Sequence, residues 1–113
     1  MKTLKTGCCY QGDIKLELVD ALPGDATEKP ASDTRIVVAH SETGHHHWVS
    51  RREAAMYATK DPFVCYLKME GEHLDLIHDR QVNAHETIRI VGKFCKVTRQ
   101  REYTPDGWRV VQD

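Results

Sequence analysis

The 113 residues are 40% hydrophobic and 29% charged. That is the size and balance of one globular domain over residues 1–113, and it excludes a disordered chain or two independent cores. No apolar run approaches the ~20 residues of a membrane helix, and residues 1–13 lack the continuous apolar stretch of a secretory signal, so a cytoplasmic protein with no membrane partner is expected. The net charge of −1 hides an asymmetry: residues 1–88 carry ten Lys or Arg against fourteen Asp or Glu, while residues 89–113 carry six against three.

Taken in chain order, Cys8 and Cys9 are adjacent, while Cys65 and Cys95 sit inside apolar runs as small hydrophobes do. This spacing is unlike a secreted disulfide framework, so free thiols are expected, with Cys8 and Cys9 either a reactive pair or part of a packed N-terminal segment. From Gly12 to Leu22, Ile14, Leu16 and Leu18 alternate with Lys15 and Glu17, the period of a half-buried strand. Residues 23–33 combine Pro-Gly, a second Pro and several charges, the composition of an exposed loop. Arg35 to His40 is a β-branched run suited to a more central strand. Ser41 to Gly44 reads as a turn, after which His45 to Val49 is extended.

Ser50 and Glu53 have the spacing of a capping box and precede Ala54, Ala55 and Met56, so a short helix is predicted from about Arg51 to Thr59, ending before Asp61-Pro62. Phe63 to Glu70 alternates and is followed by Gly71 and by Leu74 to His78, a pattern resembling a hairpin. Two further strands, Thr87 to Val91 and Lys93 to Arg99, flank Gly92. Thr104-Pro105-Asp106-Gly107 is a turn between Gln100 to Tyr103 and Trp108 to Val111, giving a terminal hairpin. About seven short strands and one short helix predict a mainly β barrel or sandwich.

The chain has seven histidines, three of them in the run His45-His46-His47. On an extended segment His45 and His47 share one face. Such a pair can aim two imidazoles at one divalent metal, Zn, Ni, Fe or Mn, and His85, at the start of a later strand, supplies the third ligand; His40 and His78 are weaker choices. Glu53, Glu42 and Glu86 are candidates for a carboxylate ligand or general base. Without metal, His45, His47 and His85 with Glu53 could instead act on a phosphodiester by acid–base catalysis, an imidazole titrating near neutral pH and nearby cations stabilising the phosphate. Solvated histidine runs with no specific role are the alternative.

The basic residues Arg89, Lys93, Lys96, Arg99, Arg101 and Arg109 are interleaved with Phe94, Tyr103 and Trp108. Cations for phosphates and aromatics for bases point to RNA or single-stranded nucleic acid, with Lys96, Arg99 and Arg101 as the binding residues.

Two resemblances accompany these readings. His45-His46-His47, Glu53 and His85 loosely resemble the motifs of cupins, small metal-binding β-barrels, although Gly44 adjoins the histidines, Glu53 comes late and no Pro-x-Gly precedes His85. Gln11-Gly12-Asp13, Gly44 to His47 and Gln100 to Pro105 together resemble a set of uncharacterised small bacterial and phage proteins. That second likeness implies an origin and no activity; a phage origin would add binding to a host protein. The expected function is thus a histidine-based metal or hydrolytic site, or a non-enzymatic module that binds nucleic acid or protein.

Overall fold

Alternation of apolar and polar residues runs through most of the chain, and strands are what bury such a pattern on one side. The computed structural model describes residues 1–40, 46–78, 86–104 and 107–110, the segments 101–104 and 107–110 by backbone alone. Among the described residues there are thirteen strands and no helix. They are β1 (Lys2–Leu4), β2 (Cys8–Gln11), β3 (Ile14–Val19), β4 (Thr27–Lys29), β5 (Arg35–Ala39), β6 (His47–Ser50) and β7 (Ala54–Ala58), then β8 (Val64–Met69), β9 (His73–His78), β10 (Ile88–Val91), β11 (Phe94–Arg99), β12 (Arg101–Thr104) and β13 (Gly107–Val110).

Eleven of these strands form two sheets, ordered β1-β10-β9-β6-β5 and β2-β3-β11-β8-β7-β4, while β12 and β13 pair as the expected terminal hairpin. Pairing is antiparallel throughout except between β1 and β10. The inward residues of both sheets make one core: Ile36, Val49, Leu74, Leu76, Ile88 and Ile90 from the first, Ile14, Leu16, Leu67, Met69, Cys95 and Val97 from the second. The mainly β expectation holds, as a two-sheet sandwich with more strands than the sequence pattern suggests. Among the described residues no helix is long and apolar enough to cross a membrane.

Three local expectations are corrected. The helix from Arg51 to Thr59 does not form. Ser50 Oγ accepts from the Arg52 N–H at 3.2 Å and the Ser50 carbonyl from the Glu53 N–H at 3.0 Å, so the cap-like residues close a tight turn. The Glu53 side chain, instead of returning to Ser50, accepts the Asp75 N–H at 3.0 Å. Beyond the turn, β7 finds ladders on both flanks, with β8 from Ala54↔Met69 to Ala58↔Cys65 and with β4 from Lys29↔Met56 to Thr27↔Ala58. Pairing and burial there outweigh alanine's helical preference, which is a weak prior. That same pairing places β4 inside residues 23–33, which are not all loop.

The third correction concerns the hairpin predicted around Gly71. Strands β8 and β9 lie in different sheets, and so do β10 and β11 on either side of Gly92. The two crossings lie side by side, tied by the Met69 N–H to the Lys93 carbonyl at 2.9 Å and the Gly92 N–H to the Glu72 carbonyl at 3.4 Å. All sheet switching of this pair thus happens at one end of the sandwich, which leaves the other end, where β3 and β10 begin and β9 and β11 finish, to a different use.

Leu76 is fully buried between the sheets whereas Tyr10 is half exposed. Leu76→Ala is expected to lower unfolding free energy by about 2–5 kcal/mol and Tyr10→Ala by less than about 0.5 kcal/mol, both read from urea denaturation.

Candidate functional site

The four buried polar side chains among the described residues, Gln11, Asp13, His47 and His78, all belong to the end of the sandwich away from the crossings. Gln11 and Asp13 flank Gly12 in the two-residue turn between β2 and β3, where Gln11 pairs with Ile14 and Gly12 takes a φ of +58°, the left-handed conformation such hairpins require. His47 begins β6 and His78 ends β9, and the two are cross-strand partners whose rings stack at 4.1 Å with 2° between their planes.

Hydrogen bonds fix the roles. Gln11 Nε2 donates to the Leu76 carbonyl at 3.0 Å and to the Glu86 carbonyl at 2.9 Å, which can only be the amide NH2. Its Oε1 therefore faces His47 Nδ1, 2.8 Å away, and that nitrogen must carry the hydrogen. His47 Nε2 lies 3.2 Å from Asp13 Oδ1, so a proton between them completes the chain. The second sheet thereby reaches into the first through one amide, one imidazole and one carboxylate.

In front of this network lies a cationic rim. Arg99, the last residue of β11, has the same strand parity as Cys95 and Val97, so it points between the sheets, its guanidinium 6.0 Å from the Phe63 ring centre. Arg99 Nη2 donates to the His40 carbonyl at 3.4 Å, and its Nε is buried without an acceptor among the described residues. The rings of His40 and His46 meet edge to face at 4.9 Å. Partial burial, then His46, Arg99 and Lys29, hold the His40 pKa below that of an ordinary imidazole.

Of the sequence-predicted residues, His47 is in this network with both ring nitrogens engaged, so binding a metal through Nε2 would displace the proton it shares with Asp13. His45, His85, Glu42 and the turn around Gly44 lie outside the described residues, and the side chain of Arg101 likewise. Glu53 is remote from the network, at the far end of the first sheet against Asp75. Lys96 faces outward between Glu17 and Tyr66, opposite in parity to Arg99, so the two cations do not share a surface. Cys8 and Cys9 are successive in β2 and point to opposite sides, Cys8 exposed and Cys9 packed toward the core. The four cysteines are free thiols, and burial pushes Cys65 and Cys95 up to about 12, so neither is poised as a nucleophile.

Sequence reasoning missed Gln11, Asp13 and the pairing of His78 with His47. The available signal was Gln11-Gly12-Asp13 itself, a hairpin turn whose polar residues flank glycine.

Residues 10–100 match the family described as a domain of unknown function, DUF8820. The chain belongs to that family. No curated protein and no solved structure matches it, and the loose likeness to cupins finds no support there. The matched span runs from Tyr10 to Gln100 and so includes Gln11, Asp13, His47, His78 and Arg99.

Replacing Gln11 with Leu keeps the volume roughly but strips partners from the Leu76 and Glu86 carbonyls and from His47 Nδ1. The Gln11 bonds to the Leu76 carbonyl and His47 Nδ1 are buried, and each orphaned buried group costs about 1–3 kcal/mol, so Gln11→Leu is expected to destabilise by at least about 2 kcal/mol in urea unfolding. A loss under about 0.5 kcal/mol would show that the amide does not hold the sheets together.

Proposed function

We propose that this protein is a non-enzymatic binding module for single-stranded nucleic acid, and that the rim formed by Arg99, His40, His46 and Lys29 holds a backbone phosphate. The observation that carries this reading is the Arg99 guanidinium: it enters the mouth of the sandwich with a buried Nε that meets no acceptor and no carboxylate partner among the described residues. A guanidinium in that setting is complementary to an anion with several acceptor oxygens, and phosphate fits its planar fork better than any point charge does. Lys29 adds positive potential near His40, whose pKa is lowered by partial burial first and then by its neighbours His46, Arg99 and Lys29, so that this imidazole can gain a proton as an anion arrives.

The binding reading is favoured over a metal centre or an acid–base catalyst at His47 because that imidazole is buried and committed on both nitrogens to Gln11 and Asp13. Its work in this reading is to keep the mouth in shape. Free, unbridged thiols at four positions agree with a cytoplasmic setting.

Arg99→Gln is expected to weaken binding of a labelled single-stranded oligonucleotide by about tenfold or more and to reduce the slope of log affinity against log salt by about one phosphate's worth. An unchanged slope with intact folding would refute the assignment. The sign of the pH dependence follows from His40. A bound phosphate raises the pKa that partial burial and then the cationic neighbours depress, so the complex takes up a proton and affinity rises as pH falls from about 7.5 to about 5.5. His40→Asn should flatten that dependence in fluorescence anisotropy titrations.

A further inference from the structure

On the outward face of the first sheet, at the end away from the mouth, His73 and Asp75 stand two residues apart on β9 and so on the same side. The turn before β7 sets Glu53 beside them. His73 Nε2 is 3.9 Å from Glu53 Oε2, and one ligand atom from each of the three residues lies within 4.8 Å of the other two. We infer that Glu53, His73 and Asp75 form a binding site for one divalent transition-metal ion of the zinc class.

The argument rests on how the two carboxylates are held. Arg89 grips Asp75 with both ends of its fork, Nε to Oδ1 at 2.9 Å and Nη2 to Oδ2 at 3.0 Å. The Asp75 backbone N–H is donated to Glu53 Oε1 at 3.0 Å, which leaves Glu53 Oε2 directed toward His73. Each carboxylate oxygen has two lone pairs, so these bonds orient the groups and leave lone pairs for a cation. Carboxylates that ligate metals are commonly supported by such outer hydrogen bonds.

Donor type narrows the ion. An imidazole with two carboxylates suits zinc or its neighbours better than the all-oxygen shells of calcium and magnesium. Ligand atoms around tetrahedral zinc are about 3.4 Å apart, so the three partly exposed side chains would contract by no more than about 1.4 Å. Glu53 and Asp75 also line an open cleft of about 510 Å³ shared with Arg35, Arg52 and Trp48. An ion there would be reached from solvent and would keep a position free for water or for an anionic ligand held by the two arginines. Trp48 lies under the Arg35 guanidinium at 4.1 Å and forms part of the cleft wall.

The site shares no residue with the phosphate rim, so either inference can fail alone. The test is a titration of the chelator-treated, tag-free full chain with zinc chloride, followed by calorimetry and by the thermal unfolding midpoint. One ion per chain with micromolar or tighter affinity and a raised midpoint are expected. His73→Ala and Glu53→Gln should each weaken uptake by about tenfold or more, and Glu53→Gln keeps the acceptor for the Asp75 N–H, so its fold is retained. No uptake up to about 1 mM zinc overturns the inference. So does uptake that survives both replacements and disappears in His46→Ala, which would place the ion at the mouth.

Discussion

An amide side chain is expensive to bury, because both its donors and its acceptor lose water and must find partners of the right kind. Gln11 is almost fully buried and finds them all across the gap between the sheets: two main-chain carbonyls for its NH2 and the His47 ring for its oxygen. The hydrophobic effect is non-directional, so a directional contact of this kind adds to side-chain packing in fixing how the sheets align at that end. The positions of His47, His78 and Asp13, and through the β3–β11 ladder that of Arg99, follow from it.

The two ends of the sandwich are chemically unlike for the same reason. At one end the β8–β9 and β10–β11 crossings lie side by side and are joined by backbone hydrogen bonds. At the other end polar side chains fill the space between the sheets. Arg99 stands there beside a network in which Gln11 and His47 already have their partners.

Much of the secondary structure was legible because burial imposes period two on the sequence. Ile14, Leu16 and Leu18 in β3 and Cys95 and Val97 in β11 carry that mark, while β5 announces itself by the continuous β-branched run from Ile36 to Val38. The strand β7 was not legible, since Ala54, Ala55 and Ala58 are small enough for either conformation and only the flanking ladders decide. Nor was the partition into sheets: Gly71 and Gly92 announce a change of direction but not whether the next strand pairs with the last one or crosses over. In the site, His47 stood out by its composition and Arg99 by its charge. Their partners are separated from them by tens of residues, and no local pattern relates Gln11 to His47 or His73 to Glu53.

The crossing of the chain between sheets has a kinetic corollary. Since β8 and β11 belong to one layer while β9 and β10, which lie between them in sequence, belong to the other, neither layer is a contiguous piece of chain that could assemble first and wait. The β1–β10, β6–β9, β3–β11, β8–β11 and β4–β7 pairings each need loop closure over a longer separation than the pairings of consecutive strands. All-β topologies with such non-local pairings fold comparatively slowly, on the scale of roughly milliseconds to seconds.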